Sequence, residues 1–276
     1  MLRRLAFLAM ATLTGPVLAG SDDKPTAETI VARHLESLGW SDAKAAQALR
    51  VAEGRCHFLI QRGGAESLEG KTVVASEGRR YSVDLRFPSS EYPGETLAYD
   101  GQKIQVGFIQ PRARSPLGDF LNTYDVLLKE GVISGVLSTA WPLFDVAGRR
   151  PKLKYDGLKK VADRSLHQVS YKAARGQGDV DVLLYFEPET FRHVRSEYRL
   201  ALTPSMSSAI DKSASQQDTR YQIEESFAEF ETAAGLTLPR RWTLTLRMGG
   251  PSTDALWRWD TAIEKVSTAG VVPPLP

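Results

Sequence analysis

The chain has 276 residues, 42% of them hydrophobic and 25% charged, a globular composition that excludes an intrinsically disordered chain. Its 35 basic and 33 acidic residues nearly balance, so the charge pattern offers no nucleic-acid surface. A single cysteine, Cys56, excludes an intrachain disulfide.

Residues 1–19 read as a secretory signal peptide: Arg3 and Arg4, then the apolar run Leu5 to Leu13, then Val17-Leu18-Ala19 as a small-residue cleavage site. The apolar run is too short to span a membrane. The expectation is cleavage after Ala19, leaving one periplasmic domain over 20–276 with no lipid-attachment cysteine at the cut. Losing Arg3 and Arg4 takes the basic count from 35 to 33, equal to the acidic count, so the mature chain is formally neutral.

Thr26 to Gly39 predicts a helix, with Thr26 as cap and Ile30, Val31, His34, Leu35 and Leu38 at helical spacing. Leu49 to Gln61 predicts a strand with Gly54 as a bulge. Cys56 shares the parity of Phe58 and Ile60, which makes it a buried core thiol. Lys71 to Glu77 and Arg79 to Phe87 form a hairpin about Glu77-Gly78. Glu95 to Tyr99 and Gln102 to Phe108 pair through Asp100-Gly101.

The strand pattern then breaks. Ser115-Pro116 starts a helix, and Leu117, Phe120, Leu121, Tyr124, Leu127 and Leu128 form its stripe. After Gly131, a second stripe runs from Val132 to Phe144, with Pro142 ending or kinking it. The spacing predicts an inserted helical pair over about 116–145, either a plug in an open barrel end or a lid over a cavity. Strands resume at Lys152 to Val161 and Leu166 to Ala173. Asp179 to Leu200 is a long hairpin turning at Glu187-Pro188-Glu189-Thr190; its even positions Val194, Tyr198 and Leu200 are apolar and its odd positions, His193 included, polar. Ser205 to Gln217 is an exposed polar loop. Arg220 to Phe230, Leu236 to Met248 and Ala255 to Val266 complete the set. The prediction is a mainly β (α+β) fold: one antiparallel, strongly curled, incomplete β-barrel of about 11–12 strands with an N-terminal helix and the inserted pair.

No metal-ligand spacing joins His34, His57, His167 and His193. There is no nucleophile elbow, phosphate-cradling loop or dinucleotide fingerprint. Asp179/Asp181 and Glu224-Glu225 are paired carboxylates of the kind a solvated strand also shows. The arginines at 80/86, 195/199 and 241/247 read as solvated faces. No catalytic residue, metal or cofactor is expected.

Three stretches carry a family resemblance: TAETIVARHLESLG near the start, KYDGLKKVADRSLHQVSYKAARGQGDVDVLLYFEPETFRHVRSEY in the middle, and AAGLTLPRRWTLTL near the end. Together they resemble the outer-membrane lipoprotein carrier (LolA/LolB-like) superfamily. The resemblance implies a non-catalytic, monomeric, soluble periplasmic carrier without a lipid anchor, which shields the acyl chains of a lipid, lipoprotein or similar hydrophobic ligand in a barrel cavity. Phe120, Leu121, Tyr124, Leu128, Val136, Leu137, Trp141 and Phe144 then face the ligand; otherwise they fill the core. The alternatives are an envelope interaction module with a filled barrel and a protein partner, and a hydrolase whose site is scattered in sequence.

Overall fold

The computed structural model describes residues 25–41, 49–61, 64–176, 180–200, 220–233, 235–249 and 255–268. The expected signal peptide and the 205–217 loop lie outside them. The leading helix α1 spans Ala27–Ser37, and the Thr26 side chain accepts a hydrogen bond from the Thr29 amide, an N-cap. Ile30, Val31, His34 and Leu38 are buried, and Gly39 closes the helix at φ +67°.

Among the described residues, twelve strands form one antiparallel sheet. They are β1 Leu49–Gln61, β2 Ala65–Glu77, β3 Arg80–Arg86, β4 Gly94–Tyr99, β5 Ile104–Val106, β6 Lys152–Val161, β7 Arg164–Lys172, β8 Val180–Phe186, β9 His193–Leu200, β10 Arg220–Ala233, β11 Leu236–Gly249 and β12 Ala255–Ser267. The order is β5-β4-β3-β2-β1-β12-β11-β10-β9-β8-β7-β6, so two meanders meet where β1 pairs with β12. The outermost strands are β5 and β6, which do not pair, so the barrel is incomplete. They are also consecutive in the chain, and the connection between them must run from one edge of the sheet to the other.

That connection lies inside a curl. The Tyr81 hydroxyl on β3 reaches the Leu128 carbonyl, and the Tyr198 hydroxyl on β9 reaches the Val132 carbonyl. Six strand spacings separate β3 from β9, about 29 Å on a flat sheet. The two carbonyls are four residues apart, at most ~14 Å along an extended chain. Side chains stand roughly perpendicular to a sheet, so the tyrosines could not bridge that difference on a flat one, and curvature brings both strands to so short a segment.

Several expected elements change in detail. The helical pair becomes one two-turn helix, α2 Pro116–Thr123, two short helices, α3 Val126–Lys129 and α4 Val146–Arg149, and 3-10 turns at Gly135–Leu137 and Pro142–Asp145. The apolar stripe over 132–144 is real, but its backbone is not a continuous α-helix: Ser134 and Gly135 within it, and Gly131 just before it, have φ of +67°, +49° and +67°. β2 begins at Ala65 rather than at Lys71. The Asp100-Gly101 hairpin has a four-residue loop, because Tyr99 pairs with Ile104 and the Asp100 side chain accepts from the amides of Gln102 and Lys103. A bulge lies opposite Gly54, where the β1–β12 register shifts, but its extra residue is Glu264 on β12 rather than Gly54: Glu53 pairs with Lys265 and Gly54 with Ile263. A second bulge reverses an expectation. Tyr185 pairs with Arg195 but Phe186 with His193, which leaves Val194 unpaired and turns His193 inward.

Gly131 should tolerate no side chain. Its φ is +67°, and a Cβ there would lie 2.4 Å from the Ala140 carbonyl oxygen. Gly131→Ala is expected to cost about 2–4 kcal/mol in urea denaturation, from backbone strain plus overpacking. A loss under about 0.5 kcal/mol would show that the insert yields easily at this point.

Candidate functional site

Short helices and 3-10 turns leave many backbone groups without a partner inside their own element. In the insert, side chains from the sheet supply those partners. Arg50 donates to the Val136 carbonyl at 2.7 Å, Tyr81 to Leu128 at 3.0 Å and Tyr198 to Val132 at 2.9 Å. Ser76 accepts from the Thr139 amide. Within the insert, Arg149 donates to the carbonyls of Glu130 and Ala140. Arg50 is buried, and burial pulls its guanidinium down to about 10. Its even parity, shared with Ala52, Cys56 and Phe58, already pointed it inward.

Glu225 is the centre of this polar layer. It lies on the same parity of β10 as the buried Ile223 and Phe227, and it is fully buried. Its Oε1 accepts from the Ser134 amide at 2.7 Å and from Trp242 Nε1 at 2.8 Å. Its Oε2 lies 2.5 Å from the Tyr198 hydroxyl, which is also 2.9 Å from the Val132 carbonyl. A hydroxyl has one hydrogen, and a carbonyl only accepts. While Glu225 is ionised that hydrogen goes to the carboxylate; once Glu225 is protonated it can donate to the Tyr198 oxygen, which frees the Tyr198 hydrogen for Val132. Burial pushes the Glu225 carboxyl up to about 7, against the hydrogen bonds from Tyr198, Ser134 and Trp242, which favour the ionised form.

A histidine pair lies beside it. His34 Nδ1 is 3.1 Å from the Phe191 carbonyl and so carries the hydrogen; Nε2 then accepts from Trp141 Nε1 at 3.3 Å. The His193 ring stacks on Trp141, with centroids 4.7 Å apart, and its Nε2 is 3.0 Å from Ser196 Oγ. Burial brings His34 down to about 4; burial, then the neighbouring His34, holds His193 well below its ordinary value. Both rings are neutral structural groups. His34 was expected on the packed stripe, whereas the bulge that buries His193 left no signal in the sequence.

Leu121, Leu128, Val136, Leu137 and Trp141 are fully buried, and Phe144 stacks on Trp40 with centroids 3.9 Å apart. Phe120 and Tyr124 instead help line a surface cavity of about 360 Å³. Leu200, Tyr221 and Met248 from the sheet add to its wall, and Arg114, Asp119 and Thr123 supply its polar groups. Elsewhere Cys56 is a buried free thiol. Arg195 and Arg199 pair with Glu197, Arg195 also with Glu224, and Arg241 with Glu229 and Asp260. Among the described residues, no three His, Cys, Asp or Glu side chains cluster as a metal site would require, and no helix is long and apolar enough to cross a membrane.

No known family model and no curated protein matches the chain. Among solved structures, a LolA superfamily protein from Nitrosomonas europaea is similar over 90% of this chain and 96% of its own, at 13% identity and a TM-score of 0.48. An outer membrane lipoprotein-sorting protein domain from Vibrio parahaemolyticus is similar over 87% and 92%, at 8% identity and a TM-score of 0.45.

The buried titratable groups give stability a definite dependence on pH. Between 4 and 6.5 the unfolded chain protonates His34 while the folded chain does not, so this term lowers stability as pH falls, by about 1.4 kcal/mol per pH unit at most. Glu225 acts oppositely. Between 4.5 and 7 the folded chain keeps a proton that the unfolded chain has lost, so this term lowers stability as pH rises. Gln at 225 can donate to Tyr198 as the protonated acid does, without titrating. Glu225→Gln is expected to fold and to gain about 3 kcal/mol on the wild type between pH 4 and pH 8 in denaturant titrations. A constant difference over that range would mean that Glu225 is ionised in the folded protein throughout. Glu225→Ala strands the Ser134 amide and Trp242 Nε1 and should cost about 2–5 kcal/mol at either pH.

Proposed function

We propose that this chain is a non-catalytic envelope binding protein that takes an acyl chain of a lipid or lipoprotein against the α2 flank of the insert. The observation that carries this is the cavity of about 360 Å³ walled by Phe120, Tyr124, Leu200, Tyr221 and Met248. Its volume falls within the range of small-molecule sites, about 300–1,000 Å³. Each buried methylene contributes about 0.8 kcal/mol, before the costs of association. Arg114 offers a cation to an anionic headgroup or a carbonyl oxygen. The sequence resemblance to lipoprotein carriers favours the same ligand class, and the expected leader favours the periplasm.

In this proposal a short acyl segment is held without moving the insert. Leu121, Leu128, Val136, Leu137, Trp141 and Phe144 meet a longer chain only when the insert swings out and its polar anchors break. The interior packing favours a second reading, in which the insert is a permanent plug and the protein is an interaction module of the envelope.

Tyr221→Asp puts a charge into the cavity at a half-buried strand position. Titration with a fluorescent fatty-acid probe should give saturable binding to the wild type and at least about tenfold weaker binding to this variant, with the melting temperature changed little. No uptake by the wild type, or equal uptake by both, contradicts the acyl site and favours the plug.

A further inference from the structure

A second cavity, of about 200 Å³, opens beside the β1–β12 seam and is separate from the acyl site in its lining. Its aromatic wall is Phe58, Tyr92 and Trp257. Phe58 and Tyr92 stack with centroids 4.4 Å apart, and Trp257 stands edge-on to both, at 5.9 and 6.1 Å. Ile60, Leu68 and Ile109 supply an aliphatic wall. Among the described residues, the charged groups in the lining are the carboxylates of Glu66 and Glu91, no basic side chain lines the cavity, and neither carboxylate has an ion-pair partner.

The aromatic wall is held from behind. The Tyr92 hydroxyl donates to Glu95 Oε1 at 2.6 Å and accepts from Trp259 Nε1 at 3.0 Å. Ser115 donates to the other oxygen of Glu95 at 2.6 Å. Glu95, Ser115 and Trp259 are buried, so the Tyr92 ring is fixed before any ligand arrives. A hydroxyl that donates to a carboxylate also leaves its ring richer in electrons. Aromatic faces attract cations, and unpaired carboxylates at the same cavity add to that attraction while repelling anions.

We propose that this cavity binds the ammonium end of a soluble single-chain amphiphile, with its alkyl segment along Ile60, Leu68 and Ile109. The cavity is smaller than most small-molecule sites, about 300–1,000 Å³, which favours a single chain over a whole membrane lipid. The proposal does not rest on the acyl site, and its test keeps the two apart.

The test is calorimetric titration of the full chain with octyltrimethylammonium and, separately, octyl sulfate, both below their micelle concentrations. The ammonium compound should bind at least about tenfold tighter than the sulfate. Glu66→Gln/Glu91→Gln should weaken the ammonium compound by about tenfold. Both positions are exposed, so the double variant should fold as the wild type does, which circular dichroism checks. Trp257→Leu should weaken it too, and Tyr221→Asp should leave it unchanged. Equal affinity for both amphiphiles in Tyr221→Asp, where the acyl site is closed to octyl sulfate, an unchanged double variant, or loss of ammonium binding in Tyr221→Asp would each overturn the assignment.

Discussion

The path of the chain between β5 and β6 is the constraint on which the rest of the structure depends. These strands are the two free edges of the sheet and are joined by residues 107–151. A sheet that curls this strongly needs something in its hollow, and this connection supplies it. The insert brings Leu121, Leu127, Leu128, Val132, Ile133 and Leu137 into the core, all at most 1% exposed. Burial of that apolar surface drives the packing; it does not by itself fix the backbone of the insert, which is irregular and has carbonyls and amides without a partner inside their own element.

The polar layer fixes it. Arg50, Tyr81, Tyr198 and Glu225 come from four strands and meet the insert within residues 128–136. An irregular segment in a core is stable only if its polar groups are met, and each of these contacts meets one. The same contacts make insert opening a cooperative event, since several hydrogen bonds must break together. A carrier reading therefore needs no opening for a short acyl chain at the α2 flank and a costly one for a longer chain. In that reading the peripheral position of the cavity, against the tight packing of Trp141 and Leu137, would separate binding at the rim from rearrangement of the core.

Most of the architecture was legible in the sequence, because alternation over long strands is a strong signal. Leu49–Gln61 and Lys152–Val161 have the expected ends. Thr26 caps α1, and a bulge falls at Gly54, though its extra residue, Glu264, belongs to β12. The insert was legible as a break in the strand pattern but not as a backbone, since an apolar stripe over 132–144 does not say that Ser134 will take a positive φ. Glu225 and Arg50 could have been found, as each is a charge on an apolar parity. His193 could not, because an unpaired Val194 reverses the alternation that would have located it. For the candidate ligand residues, spacing identified an apolar set; tertiary packing then placed Phe120 and Tyr124 at a cavity and most of the others in the core.

The most direct test of the carrier account is native mass spectrometry, with lipid extraction, on the protein purified from a periplasm. The account predicts a bound species that yields an acyl-bearing lipid or lipopeptide on extraction, and its loss from the Tyr221→Asp variant. A clean apo mass for the wild type, unchanged after incubation with total lipid extract, would contradict it and leave the filled barrel as an interaction module.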